Sequence, residues 1–199
     1  EAVLLTEPEK ISRIRVLLLT EDGKKCHDEI RVSASEPYRI ITKEGKKNRK
    51  AKSVAKASKL LASTEGSVRI KTKSKNGMLY LCDADGKYIS NGYTGTIELR
   101  KYPEGYAVVN ELPIEQYLCA VVPSELPVSY ELEALKAQAV CARSYAYIQL
   151  EHGDYAEFGA HVDDTTNYQV YNKQNRDEKT NAAVLDTAGQ VIRYQGETA

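Results

Sequence analysis

Residues 123–127 read Pro123-Ser124-Glu125-Leu126-Pro127, and residues 133–146 read Glu-Ala-Leu-Lys-Ala-Gln-Ala-Val-Cys-Ala-Arg-Ser-Tyr-Ala. The second stretch has apolar residues at helical spacing, and its alanines allow a neighbouring backbone to approach closely. We therefore expect a central helix over about 130–151, with Ser129 as its cap. The prolines fix the backbone on both sides of Glu125, which makes this carboxylate a candidate catalytic acid.

Two further helices are predicted around the central one. The first begins at Pro113, which suits a first helical position, and it should end before Pro123 because proline breaks a helix. The second covers about 178–185 and leads into a strand over 190–194. This part of the chain is therefore expected to be mainly helical.

Short alternating runs separated by glycine turns fill the chain from Ile14 to Leu112, and this pattern is typical of β-hairpins. The predicted strands are 15–19, 67–73, 78–83, 96–102 and 107–112. The sequence therefore predicts an α+β fold, in which a β-hairpin-rich N-terminal half precedes a helical core segment packed against strands. Its parts are residues 1–90 and residues 90–199, or one continuous domain.

A basic insertion over residues 43–59 interrupts the hairpin pattern, with eight basic residues and one acid, Glu44. It is either a solvated, mobile segment or a surface for an anionic polymer such as a cell-wall glycopolymer. Aromatic residues for base stacking are absent from it, so we expect no nucleic-acid partner. The whole chain has 28 basic and 28 acidic residues, which excludes a bulk attraction to nucleic acid or to an anionic membrane.

The remaining composition limits the class of protein further. The chain has 14 Tyr and no Trp, and tyrosine rings suit both packing and polar ligands such as sugars. The longest apolar run is of strand length, far below the roughly 20 residues of a membrane span. The sequence begins at Glu1 without methionine or a charged and apolar leader, so it leaves the compartment, and the removal of a signal or anchor upstream, open. The four cysteines form no Cys-x-x-Cys pair and are expected to be buried free thiols.

Several blocks occur together in one order over roughly residues 90–199. They are 110–118, 121–127, 133–145, 169–171, 181–184 and 187–192. In this order and spacing they resemble the stage II sporulation protein D family, also called SpoIID/LytB or amidase-enhancer domains. The resemblance implies a bacterial protein of the cell envelope, secreted or membrane-anchored through a segment outside this chain.

The resemblance also implies an activity on peptidoglycan glycan strands. Sporulation members of the family are lytic transglycosylases, and the family's catalytic glutamate falls on Glu125. The alternative is a non-catalytic wall-binding domain that recruits or stimulates an N-acetylmuramoyl-L-alanine amidase. Family members continue past the equivalent of Ala199 into a segment that completes the cleft, so we expect a truncated core with its opposite wall outside this chain.

The chemistry of a lone carboxylate fits transglycosylation better than hydrolysis. A hydrolysing glycosidase usually needs two carboxylates, whereas a tethered hydroxyl of the sugar itself can replace the second one. A glutamate that donates its proton near neutral pH needs an apolar, partly desolvated setting. We expect Val122, Leu126 and the flanking prolines to supply that setting for Glu125.

The resemblance carries further glycan-binding candidates onto this chain. They are Arg143, Ser144, Tyr145, Gln138, Gln169 and Tyr171. Arg143 is the first choice for orienting the glycan, and its alternative is a structural ion pair with an acid. Gln138, Gln169 and Tyr171 could equally be buried residues bonded to backbone.

Other chemistries have weaker support in the sequence. Cys141 lies in the apolar helix, so a Cys-His protease would need a reactive buried thiol. Ser124 is not in a Gly-x-Ser-x-Gly elbow. His161, Asp163 and Asp164 cluster before residue 169, where some members of the family bind zinc through His and Cys. In this chain Tyr168 precedes Gln169 and no cysteine is near, so the resemblance carries no zinc site, and a site of His161 with His152 is the alternative. We expect no metal and no cofactor.

Overall fold

The computed structural model describes residues 12–199, and residues 1–11 lie outside this range. The described chain forms two compact units. One is rich in strands and contains Arg15–Leu112 with Glu157–Ala160. The other is mainly helical and contains residues 12–14, Pro113–Ala156 and His161–Ala199. The boundary predicted near residue 90 therefore falls inside the strand-rich unit.

The strand-rich unit contains two sheets. Its elements are β1 (Arg13–Leu17), β2 (Arg31–Ala34), β3 (Tyr38–Thr42), β4 (Gly45–Arg49), β5 (Ala55–Lys56), α1 (Ala57–Leu61), β6 (Ser67–Thr72), β7 (Leu79–Cys82), β8 (Thr96–Tyr102) and β9 (Gly105–Pro113). Within this unit, the strands of the larger sheet follow the order β1-β9-β8-β6-β3-β4, and those of the smaller sheet follow the order β5-β2-β7. The pairings from β9 to β4 are antiparallel.

One face of the larger sheet forms the core of this unit because its strands alternate apolar and polar residues. Val68 and Ile70 of β6 pair with Leu99 and Ile97 of β8, and all four side chains are fully buried. The turn from β8 to β9 requires glycine, since Gly105 has a φ of 136° and a Cβ there would lie 2.4 Å from a backbone oxygen. The alternation seen in the sequence therefore reports a real half-buried sheet.

The predicted α+β fold is confirmed, and the five strands predicted between residues 15 and 112 are present with boundaries that differ by at most two residues. Part of the segment 43–59, predicted as a basic insertion, has regular secondary structure. Residues Gly45–Arg49 form β4, which pairs along its whole length with β3. The sequence analysis did not predict β4 because Lys and Asn are depleted in strands, and because its residues show no alternation of apolar and polar side chains.

Three helices dominate the other unit: α2 (Ile114–Glu125), α3 (Leu132–Gln149) and α4 (Glu178–Asp186). Each of them packs against the other two. Short strands complete the unit: β10 (Val162–Asp163), β11 (Arg193–Tyr194) and β12 (Glu197–Thr198). No helix of the described residues is long and apolar enough to cross a bilayer.

The predicted central helix is α3. Its buried stripe includes Leu135, Ala139, Ala142 and Ala146, the positions expected from helical spacing. Its N-cap is Glu131, which makes no side-chain cap hydrogen bond, so the prediction that Ser129 caps this helix was wrong.

Helix α2 continues through Pro123 and ends at Glu125, although the sequence predicts an end before the proline. A proline removes the helical hydrogen bond that its N–H would have made, and its ring crowds the carbonyl four residues earlier, so it usually ends a helix. Here the two residues after Pro123 remain helical. The next turn is retained, because the backbone N–H of Leu126 donates to the carbonyl of Val122 at 3.0 Å. Glu125 is therefore the last residue of a helix.

Candidate active site

Glu125 lies on the wall of an open cavity at the end of α2. The cavity has a volume of about 700 Å³ and two lips, residues 123–129 and residues 174–177. The Glu125 side chain is exposed, and its Oε1 accepts a hydrogen bond of 2.5 Å from the backbone N–H of Val170. One carboxylate oxygen is thus oriented by the backbone, while the side chain remains accessible from the cavity.

Ser124 connects the two lips. Its hydroxyl donates to the carbonyl of Ala120 at 2.8 Å and accepts the backbone N–H groups of Lys173 and Gln174, each at 3.2 Å. The backbone N–H of Asn172 also donates to the Ala120 carbonyl, at 3.2 Å. The end of α2 therefore holds the segment that leads into the second lip, and an apolar replacement of Ser124 would remove the two hydrogen bonds that its hydroxyl accepts from that segment.

One sequence expectation about this cavity was wrong, and another stays a prediction. The wall opposite Glu125 is predicted to lie outside this chain, and within the described part of the chain residues 174–177 line the cavity together with residues 123–129. A desolvated setting was expected for Glu125, but Val122 and Pro123 turn into the core and leave the Glu125 side chain exposed. The exposure follows from the position of Glu125 at the helix end, where the backbone N–H of Val170 reaches it from one side only.

A second carboxylate, Asp177, lines the same cavity. It is the N-cap of α4, and its Oδ1 accepts the backbone N–H of Lys179 at 2.8 Å. A helix cap of this kind stabilises the first turn of the helix. Asp177 was missed in the sequence, although an acidic residue just before an apolar helical pattern is a recognisable start signal.

Arg143 is fully buried, and it is not available to a glycan in this structure. Its Nε and Nη2 donate to the two carboxylate oxygens of Glu115, each at 2.8 Å. Nη2 and Nη1 also donate to the carbonyls of Val184 and Gln190, each at 3.1 Å. Arg143 thus ties α3 to the start of α2 and to the end of α4, which is the structural alternative to glycan binding.

Ser144, Gln169 and Tyr171 are also buried, so their predicted direct contact with glycan is not supported. The Ser144 hydroxyl donates to the carbonyl of Val140 and accepts the backbone N–H of Ile192, each at 2.8 Å. These bonds hold α3 to the chain segment that follows α4. Gln138 and Tyr145 are only partly buried on α3, and their glycan-binding role stays a prediction.

Gln169 and Tyr171 fix the segment whose backbone donates a hydrogen bond to Glu125. The Gln169 amide accepts from the Tyr117 hydroxyl and donates to the Ala142 carbonyl, each at 3.3 Å. Tyr171 stacks on Tyr117 with ring centroids 5.0 Å apart. Burial raises the pKa of Tyr117, with further contributions from nearby tyrosines and Glu125, so its hydroxyl is a fixed neutral donor. These two residues bracket Val170, the donor to Glu125.

A polar cluster holds the loop that precedes this segment. Asp163 is fully buried and accepts hydrogen bonds from the Tyr155 hydroxyl at 2.9 Å and from Thr165. Burial, together with the hydrogen bond to Asp163, raises the pKa of Tyr155 to about 12. The neighbouring Asp164 forms an ion pair of 2.8 Å with Lys173, which immediately precedes the second lip.

Among the described residues, the side-chain geometry supports none of the other candidate chemistries. Within residues 12–199, no three His, Cys, Asp or Glu side chains come together as a metal site would require. Cys141 is exposed on α3, contrary to the expected buried thiol, and Cys119 is half-buried, whereas Cys26 and Cys82 are buried as expected. All four are free thiols.

Residues 102–194 match the family model named SpoIID, Stage II sporulation protein. Glu125, both lips of the cavity and the segment 169–171 all lie within the matched residues. This segment of the chain belongs to the SpoIID family. The resemblance expected from the sequence blocks is thereby confirmed.

Relatives of the SpoIID segment are found in several proteins. An uncharacterized protein of Brachyspira hyodysenteriae is 38% identical over 127 residues, 62% of this chain. The amidase enhancer of Bacillus subtilis is 43% identical over 79 residues, 40% of this chain. The stage II sporulation protein D of the same organism is 32% identical over 103 residues, 45% of this chain. The matches span 33%, 10% and 30% of those three proteins.

Proposed function

We propose that this chain remodels the bacterial cell wall as a lytic transglycosylase that cleaves peptidoglycan glycan strands, with Glu125 as the single acid and base. The observation that carries the proposal is the accessible Glu125 carboxylate in a two-lipped cavity whose other carboxylate, Asp177, is engaged as a helix cap. The SpoIID match and the printed names of the relatives support a role in wall remodelling.

The proposed reaction consumes no water. Glu125 donates a proton to the oxygen that links two sugars, and the bond between that oxygen and the anomeric carbon breaks. The C6 hydroxyl of the same muramic sugar then bonds to the anomeric carbon and returns its proton to Glu125. The product has a 1,6-anhydromuramoyl end, and the attacking hydroxyl is already tethered, which lowers the entropic part of the barrier.

The glycan itself must supply the desolvation that a general acid needs, because Glu125 is exposed in the unliganded chain. A strand that fills the cavity between the two lips excludes water from the carboxylate. The backbone N–H of Val170 holds one carboxylate oxygen, which leaves the other to reach the substrate oxygen. The proposal therefore requires that the strand lie between the lips.

Two matched variants test the proposal on glycan strands that lack stem peptides. Glu125→Gln removes the proton donor and keeps the shape of the side chain, so anhydro-ended fragments should disappear while glycan binding is retained. Asp177→Asn also removes one charge from the cavity, but asparagine caps helices as well as aspartate does, so product formation should persist. Equal product from Glu125→Gln and the unmodified chain, measured by mass spectrometry, would refute the catalytic role.

A second candidate function is the stimulation of an N-acetylmuramoyl-L-alanine amidase without catalysis by this chain. It is favoured by the relative named amidase enhancer and by the exposed setting of Glu125. An added amidase should then release the same amount of peptide with the Glu125→Gln variant as with the unmodified chain. For either function we propose an extracellular or cell-envelope location, because the substrate lies there.

A further inference from the structure

The zero net charge of the chain conceals two parts of opposite charge. The strand-rich unit has 20 basic and 13 acidic residues, a net charge of +7, whereas the rest of the chain has 8 basic and 15 acidic residues. Residues 37–76 alone contain 13 basic and two acidic residues. A local excess of this size attracts polyanions even when the whole molecule is neutral.

The strand register places part of this charge on one face of the larger sheet. Arg39 of β3 is directly opposite Asn48 of β4 on one side and Lys71 of β6 on the other. Lys46 of β4 follows in the next row, opposite Ile41. Directly opposed residues of antiparallel strands point to the same face, so Arg39, Lys46 and Lys71 share one face, here called the basic face. All three side chains are exposed.

Carboxylates elsewhere on this sheet are already paired with arginines. Glu98 of β8 forms ion pairs with Arg15 and Arg100, and Glu111 of β9 forms ion pairs with Arg15 and Arg69. Within residues 12–199, by contrast, none of the three residues of the basic face forms an ion pair. The basic charge at the β4 side of the sheet is therefore not balanced by the fold.

Protection of a sheet edge explains only part of this arrangement. Lysines on an edge strand prevent strand pairing with another chain, and Lys46 on β4 is in that position. Arg39 and Lys71 are on the interior strands β3 and β6, where no edge needs protection. Like charges directly opposite each other across two strands destabilise a sheet, so this pair costs the fold stability unless a ligand neutralises it.

The chemistry of the basic face favours one kind of polyanion. Base stacking needs aromatic side chains, and insertion into a lipid surface needs exposed apolar ones. No exposed large apolar or aromatic side chain of the described residues lies on β3, β4 or β6. Arginine and lysine without such neighbours bind phosphate groups through charge and hydrogen bonds alone.

We propose that the basic face of Arg39, Lys46 and Lys71 binds a linear phosphodiester polymer that has a polyol backbone and no bases. The strands are about 4.8 Å apart, and alternate residues along one strand are about 6.7 Å apart, so successive phosphates of an extended polymer can contact different strands. This site goes beyond the proposed function and does not involve Glu125.

A charge-matched pair of variants tests the site in the full chain. The probe is a labelled poly(glycerol phosphate) oligomer, and the readout is fluorescence anisotropy over a series of salt concentrations. Arg39→Gln/Lys71→Gln removes two charges from the basic face and relieves their repulsion, so the fold should be retained. Lys87→Gln/Lys101→Gln removes two exposed charges from other parts of the same unit. Lys101 is opposite Tyr106 in the hairpin of β8 and β9, away from β3 and β4.

The unmodified chain should bind the probe with an affinity that falls as salt rises. The basic-face variant should lose about tenfold in affinity at low salt and lower the salt slope by about two, while the control pair should stay within about twofold. Equal losses in both pairs, or no binding by the unmodified chain, would overturn the proposal. Tighter binding of an oligothymidylate of equal charge, or of anionic lipid vesicles, would also overturn the proposal. The Glu125→Gln variant should bind the probe as the unmodified chain does.

Discussion

Replacement of the buried Arg143 should destabilise the helical unit strongly without a specific effect on glycan binding. In Arg143→Met, the carbonyl of Gln190 loses the donor Nη1, whereas the carbonyl of Val184 loses Nη2 but keeps the Thr187 hydroxyl at 3.3 Å. A buried acceptor left unsatisfied costs about 1–3 kcal/mol. Glu115 also loses its partner, but its side chain is 33% exposed, so water can solvate part of its charge. The total expected loss in the free energy of unfolding is about 3–5 kcal/mol, as for other broken buried ion pairs.

Urea unfolding followed by circular dichroism measures this loss, which suits a chain with no tryptophan. Glu115→Gln tests the same ion pair from the other side, because it keeps an acceptor for Arg143 but leaves the fully buried guanidinium without its counter-charge. It should also cost about 3–5 kcal/mol. A loss below about 1 kcal/mol in Arg143→Met would refute the structural role. A stable variant that no longer binds glycan would return Arg143 to its predicted role as a glycan-binding residue.

Two further predictions concern the second lip and the sheet of the strand-rich unit. Ser124→Ala should lower the free energy of unfolding by only about 1 kcal/mol, because the backbone amides it releases can bond to water. Amide hydrogen exchange at residues 173 and 174 should nevertheless accelerate. Unchanged exchange would contradict the role of Ser124 as the connection between the lips. Burial alone would raise the pKa of Glu98, but hydrogen bonds from two arginines outweigh it and lower that pKa. A carboxylate whose pKa is lowered by folding stabilises the fold above its unfolded-state pKa, and this stability is lost as the pH falls through the folded-state pKa. Below about pH 4.5, Glu98→Gln should therefore lose stability less steeply than the unmodified chain. Identical slopes in acid-unfolding titrations would disprove this prediction.

The helical part of the fold was largely predictable from the sequence. Leu135, Ala139 and Ala142 mark the buried stripe of α3 by spacing alone, and tertiary packing agrees with that pattern. The end of α2 was not predictable in the same way. The general rule that proline breaks a helix does not say whether the residues after it can still form helical hydrogen bonds. Here the backbone N–H of Leu126 does form one.

The candidate site was only partly predictable. Glu125 was singled out by its local sequence, because a carboxylate between two prolines is unusual. The roles of Arg143 and Ser144 depend on partners far away in sequence, Glu115 and Ile192, which no local pattern reveals. The basic face likewise depends on strand register, since Arg39 and Lys71 are opposed only after β3 and β6 pair.

The central claim is that the chain cleaves glycan without water. Digestion of glycan strands lacking stem peptides in oxygen-18-labelled water tests this most directly, with mass spectrometry of every new chain end. The account predicts anhydro ends that carry no oxygen-18, and their loss in the Glu125→Gln variant. New reducing ends that carry oxygen-18 would show hydrolysis, and fragments that do not differ from an undigested sample would show that this chain does not cleave glycan.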